Sequence, residues 1–141
     1  MEQIREGSEV VLHPSWLNYF KHFFWALVFI FLAFIISSAL SLIFIIIALI
    51  LILYAIFGKL SRTYTITHKV VRSRIGIVSR NENEIKIDNI HEVGIRQGIF
   101  QRIFNVGNIF FASAATSGVE VIFDGIKDPA GVKNQVNQLQ H

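Results

Sequence analysis

The sequence predicts an α+β membrane protein, with a transmembrane helical hairpin followed by a small antiparallel β-barrel that a C-terminal α-helix caps. Three observations support this class. Residues 23–57 contain no charged side chain, residues 61–127 alternate apolar and polar positions in short runs, and Asp128-Pro129 opens a segment with helical spacing. The expected domains are an N-terminal segment with a short strand (1–15), a two-helix transmembrane hairpin (16–60) and a soluble domain (61–141).

The apolar run is too long for one membrane crossing. A helix of about 35 residues rises about 50 Å, whereas the hydrocarbon core of a bilayer is about 30 Å thick. The only polar break is Ser37-Ser38-Ala39-Leu40-Ser41, so we predict two spanning helices joined by a turn at residues 37–41. The alternatives are a cleaved signal peptide, which the length of the run disfavours, and a buried helical hairpin of a soluble protein.

The charges that flank the run predict its orientation. Lys21 precedes it, Lys59 and Arg62 follow it, and the turn contains no cation. Lys and Arg collect on the cytoplasmic side of a membrane, and a hairpin returns both flanks to one side. We therefore expect a multi-pass protein of the inner membrane, with both termini and the soluble domain in the cytoplasm.

The first half of the soluble domain predicts β-strands. Thr63–Thr67 and Val70–Ile75 are rich in β-branched and aromatic residues, with a turn at His68-Lys69 between them. We expect residues 77–79 to resume the second strand and residues 81–83 to form a turn. Residues 84–88 then alternate, which places the isoleucines at 85 and 87 on one face.

The second half predicts more strands and two helical segments. Ile99, Phe100, Ile103 and Phe104 are spaced so that one helical turn could bury them together. Residues 109–111 and 119–123 are predicted to form a β-hairpin with its turn at residues 116–118. Asp128 is a good N-cap with Pro129 in the first helical position. The apolar stripe of the last helix, which should pack on the six or seven strands, consists of Val132, Val136 and Leu139.

Several short motifs occur in a recognisable order along the chain. They are Glu9–Trp16, Tyr64–Thr67, Arg72–Ile77, Ile85–Ile90, Val93–Gln97, Phe100–Asn108 and Asp128-Pro129. Together they resemble the bacterial pleckstrin-homology (PH) domain family whose members carry an N-terminal transmembrane hairpin. The resemblance implies a split barrel capped by a helix. The residues Glu9–Leu12 themselves predict a short strand that joins this domain. It implies no established enzymatic activity.

A basic stretch is the main candidate for ligand binding. Its six cations occur without an intervening acid, and anionic headgroups attract such residues at a membrane surface. The plainer interpretation is that they are solvated strand faces and topology signals. The candidate anionic-lipid contacts are Lys59, Arg62, Lys69, Arg72, Arg74 and Arg80.

The sequence contains no motif that is typical of catalysis or of metal binding. The chain has no cysteine, and its five histidines lack metal-ligand spacing. No serine stands in a nucleophile motif, and no glycine-rich phosphate loop occurs. We therefore expect no catalytic residues, no cofactor and no metal site. We expect no nucleic-acid partner either, since aromatic residues do not interleave with the cations.

Adjacent strand residues point to opposite faces, so Phe110 and Phe111 cannot both be buried in a one-sided core. They are the candidate partner surface. The function expected is a non-enzymatic membrane-anchored interaction module, a scaffold or accessory subunit of an envelope protein complex. Its partners would be membrane lipids and another membrane or cytoplasmic protein, a second copy of the chain included. The alternative is an anionic-lipid sensor that uses the basic strands at residues 59–80.

Overall fold

The computed structural model describes residues 9–36, 38–114 and 120–141, which belong to two compact units. The sheet unit contains the chain up to Asn18 together with Ser61–His141, and the helical unit is Tyr19–Leu60. The N-terminal strand therefore belongs with the sheet unit. Ser37 of the predicted membrane turn, the predicted turn at 116–118 and residues 1–8 lie outside the described residues.

The helical unit consists of α1 (Phe20–Ile35) and α2 (Leu40–Leu60). Three small buried residues, Ala26, Ala48 and Ala55, allow the helices to approach, and the rings of Phe29 and Phe44 stack with centroids 6.0 Å apart. A single 3-10 turn, Trp16–Tyr19, precedes α1, so the α-helix begins four residues after the predicted start of the hairpin at residue 16. Both helical segments are long and apolar enough to cross a membrane.

The first sheet is antiparallel, with its strands in sequence order. Its strands are β1 (Glu9–Leu12), β2 (Arg62–Thr67), β3 (Val70–Ile75) and β4 (Asn81–Lys86). The predicted strands on either side of His68-Lys69 are confirmed. The predictions for residues 77–79 and 81–83 are wrong, because Gly76 adopts a φ of +116° that only glycine tolerates well. The turn therefore occupies residues 76–80, and residues 81–83 pair as the start of β4.

The second sheet has the order β5-β6-β7, from β5 (Ile90–Arg96), β6 (Val106–Ser113) and β7 (Glu120–Lys127). The predicted β6–β7 hairpin is confirmed by antiparallel pairing, in which Phe111 lies opposite Val121. A short helix, α3 (Ile99–Ile103), connects β5 to β6. Among the described strands no ladder joins the two sheets, so the predicted barrel is not closed.

The C-terminal helix α4 (Pro129–Gln140) begins as predicted. The Asp128 carboxylate accepts a hydrogen bond from the Gly131 backbone N–H at 3.4 Å, and Pro129 occupies the first turn. Val132 and Val136 are buried and Leu139 packs against the core, which confirms the apolar stripe.

One hydrophobic core lies between the two sheets and α4. Tyr64 of β2 stacks on Phe123 of β7 with ring centroids 4.7 Å apart, and Phe111 meets Phe123 edge-on at 5.0 Å. These aromatic contacts join the sheets where backbone pairing does not. The remaining buried members are Ile66, Val71, Ile85, Ile87, Ile90, Ile109, Val121, Ile126, Val132 and Val136.

Candidate functional site

The outer face of the first sheet carries two arginines that are already paired with glutamates. Ser73 of β3 is buried, so the alternation of the strand turns Arg72 and Arg74 outward. The register of β3 and β4 places Arg72 opposite Glu84 and Arg74 opposite Glu82. Each arginine therefore has an acid as its direct cross-strand neighbour.

The side-chain contacts follow that register. The Arg72 Nη2 and Nε atoms lie 2.7 Å and 2.9 Å from one carboxylate oxygen of Glu84. The Arg74 Nε lies 3.3 Å from Glu82. The hydrogen bond and the negative charge of Glu84 raise the pKa of Arg72 above its usual value. We call this arrangement the Arg–Glu ladder, and it is neutral as a whole.

Arg62 has a bridging role between the sheets. Its Nη1 lies 2.5 Å from the Asp124 carboxylate on β7, and the Tyr64 hydroxyl accepts a hydrogen bond from the Asp124 backbone N–H at 3.0 Å. Burial raises the pKa of Tyr64 to about 12. The ion pair thus joins β2 to β7 beside the stacked aromatic rings.

The six predicted lipid contacts do not form one cluster within the described structure. Arg72 and Arg74 share the ladder, Arg62 bridges the sheets, and Lys59 belongs to the helical unit. Lys69 lies exposed in the β2–β3 turn and Arg80 lies exposed at the end of the β3–β4 turn. Sequence analysis missed the acidic partners because it placed a turn where β4 begins. The spacing of Glu82 and Glu84, which matches that of the arginines, was the available signal.

The predicted partner surface separates into one buried and one partly exposed ring. Phe111 is fully buried on the core side of β6, so it offers no surface to a partner. The prediction of a partner contact is therefore wrong for this residue. Phe110 points the other way and is half-buried. Its ring covers Gly94 on β5, and the Arg96 guanidinium carbon lies 4.8 Å from the ring centroid.

Three of the four apolar residues that one helical turn could bury together are exposed on α3, and the fourth, Phe104, is half-buried. The exposed fractions of Ile99, Phe100 and Ile103 are 82%, 56% and 70%. The prediction was wrong because the aromatic rings of the sheets and the stripe of α4 already fill the core. The patch therefore remains on the surface of the sheet unit.

Among residues 9–36, 38–114 and 120–141, no group of three or more histidine or acidic side chains is placed to hold a metal ion. The family model described as "Bacterial PH domain" matches residues 15–140, nearly the whole chain. The chain belongs to the bacterial PH domain family. No curated protein and no solved structure gives a significant match. For this bacterial PH domain protein, the match covers both apolar helices and the strands β2 to β7, while β1 lies before it.

Proposed function

We propose that this bacterial PH domain protein is a non-enzymatic, membrane-anchored interaction module, a scaffold or accessory subunit of an envelope protein complex. The helical unit anchors it, and the sheet unit binds a protein partner at the cytoplasmic face of the inner membrane. The Arg–Glu ladder is the observation that favours this function. Because Arg72 and Arg74 already have acidic partners, the outer face is better suited to a protein surface than to lipid phosphates.

The surface of the helical unit supports a membrane anchor. The exposed fractions of Leu27, Phe31 and Phe34 are 66%, 66% and 86%, so large apolar side chains cover its outside. A core helix of a soluble protein would bury such side chains, and water penalises an apolar surface of this extent. The flanking Lys21 and Lys59 support an orientation with both ends in the cytoplasm.

The outer face of the first sheet has the mixed character of a protein interface. Val11, Thr65 and Arg72 lie in one row across β1, β2 and β3, and Val11 is 51% exposed. Protein interfaces combine apolar, hydroxyl and arginine contacts. An arginine held by an ion pair has less side-chain freedom to lose on binding, which lowers the entropic cost.

Site-specific crosslinking in native membranes tests this surface. A photo-reactive residue replaces Thr65 in the full chain, and the matched control carries it at Asn134 on the exposed side of α4. We expect a discrete protein adduct at the first position that the control lacks. Adducts with lipid alone at position 65, or the same adducts at both positions, would contradict a protein partner on this face.

The second candidate function, an anionic-lipid sensor, is favoured by the two exposed cations outside the ladder. Within the described part of the chain, no carboxylate lies within 4.0 Å of Lys69 or Arg80. Such cations contribute about 1 kcal/mol each near an anionic surface. Binding to acidic vesicles by the native chain that salt abolishes would support this function.

A further inference from the structure

Two exposed apolar groups lie on the sheet unit outside its core. One is the α3 patch of Ile99, Phe100 and Ile103 described above. The other is in the β3–β4 turn, where Ile77 is 53% exposed and Val78 is 99% exposed. A turn in water normally presents polar residues at its tip, so two adjacent β-branched apolar side chains indicate an apolar environment.

The elements that carry these groups are hydrogen-bonded to the residues at which the chain passes from one unit to the other. The Gln101 side-chain amide of α3 donates a hydrogen bond to Asn18 Oδ1 at 2.9 Å, and Asn18 is the last residue before the helical unit. The Gly76 N–H of the β3–β4 turn donates to the backbone oxygen of Ser61 at 2.8 Å, and Ser61 is the first residue after the helical unit. Each junction thus contacts an element that carries an apolar group.

The two junctions lie at the same edge of the sheet unit. Leu12, at the end of β1, pairs with Tyr64 near the start of β2. The His13 Nδ1–H donates to the backbone oxygen of Arg62 at 3.3 Å. The chain therefore leaves and re-enters the unit side by side, with α3 and the β3–β4 turn as neighbours of the two junctions.

We propose that these groups form a bilayer-docking edge, which inserts into the interface of the membrane that the helical unit spans. The proposal rests on the membrane anchor of the proposed function, because α1 begins two residues after Asn18 and a spanning helix therefore brings lipid within about 7 Å of that junction. The docking edge consists of Ile77, Val78, Ile99, Phe100 and Ile103.

Charge at the docking edge supports a lipid surface over a protein. Arg80 is the last residue of the turn and Arg102 lies within α3, and both are exposed. Apolar side chains beside arginines are the composition that interfacial membrane segments use, because the side chains enter the acyl boundary while the guanidinium groups reach headgroup phosphates. The docking edge would limit the rotation of the sheet unit and so present the outer face of the first sheet in one orientation.

Depth measurements by spin labelling test the docking edge. The chain has no cysteine, so single cysteines can be introduced and labelled with a nitroxide in the full chain, reconstituted in vesicles of phosphatidylethanolamine and phosphatidylglycerol. Val78→Cys and Ile103→Cys report the two groups, Asn134→Cys on α4 is the aqueous control, and Phe31→Cys reports the anchor. We expect labels at 78 and 103 to favour oxygen over a water-soluble nickel chelate, at a depth of about 5–10 Å. The label at 134 should favour the chelate.

The outcomes separate the two proposals. If the labels at 31, 78 and 103 all favour the chelate, the anchor itself is wrong and the docking edge falls with it. If only the label at 31 favours oxygen, the anchor stands and the docking edge is refuted. Labels at 78 and 103 that are shielded from both reagents would show that a protein covers the edge, which also overturns the proposal.

Discussion

Replacing Glu82 and Glu84 with glutamine removes both acids of the Arg–Glu ladder while it preserves side-chain volume. The arginines then lose their carboxylate partners, and the outer face gains two net positive charges. Each arginine near an anionic membrane contributes about 1 kcal/mol, so the pair amounts to about 2 kcal/mol, or roughly 30-fold in affinity for an acidic surface.

The fold should survive this change. The paired side chains are about 40% exposed (42% and 42% for one pair, 39% and 46% for the other). Exposed ion pairs each contribute about 0.2–1 kcal/mol to stability, so the double variant loses at most about 2 kcal/mol. The residues that join the sheets, Tyr64, Phe111 and Phe123, are fully buried and are not altered by the change.

The assay measures whether the full chain, held in nanodiscs of neutral phosphatidylcholine, floats with vesicles that contain phosphatidylglycerol. The matched control is Asp88→Asn with Glu92→Gln. It also removes two exposed acids from the sheet unit, but neither lies within 4.0 Å of a basic side chain in the described residues. Empty discs give the background.

We expect weak co-flotation of the native chain and the control, and a gain of about 30-fold in the ladder variant that salt reverses. If the native chain already binds as tightly as the ladder variant, the pairs do not mask the arginines and the lipid-sensor function is favoured. If the control gains as much, net charge alone explains the binding and the ladder has no specific role.

Three further predictions concern the packing of Gly94, the pH dependence of stability and the orientation of the hairpin. Gly94→Ala would drive a methyl group into the Phe110 ring, so we expect about 1–3 kcal/mol less stability in detergent-based unfolding; a loss that the added Phe110→Leu change does not reduce would contradict this cause. The pKa of Tyr64 is about 12 in the folded chain against 10.0 when unfolded. The stability that its buried neutral hydroxyl contributes is therefore complete below pH 10 and is lost as the pH rises toward 12. Because the shift is worth up to about 3 kcal/mol, Tyr64→Phe should flatten the fall in stability over that window, and an unchanged slope would exclude Tyr64 as its source. Finally, a membrane-impermeant maleimide should label Ser38→Cys but not Asn134→Cys in intact cells, and the opposite pattern would refute the orientation.

The last helix shows how much local sequence can predict. An N-cap at Asp128, a proline after it and valines one turn apart define the start and the buried face of α4, and the structure confirms both. The paired strands on either side of His68-Lys69 are confirmed for the same reason, since β-branched residues and a polar turn act over a few residues.

The errors have a common physical origin. At residues 76–80 a single glycine with positive φ moved the turn, and the charges at 82 and 84 changed from turn residues to cross-strand partners. The apolar patch of α3 has the spacing of a buried face, but whether it is buried depends on the volume that other elements leave free. Neither the position of the turn nor the exposure of the α3 patch can be predicted from the local sequence pattern.

Local chemistry therefore specifies the two apolar helices, most strand segments and the cap of α4, because hydrophobic periodicity and capping act within one element. The pairing of charges required the folded chain. Arg62 meets Asp124 across 62 residues of sequence, and the ladder depends on the register of β3 and β4. Strand register and the packing of two sheets place these residues together, and both are set by contacts between elements distant in the chain.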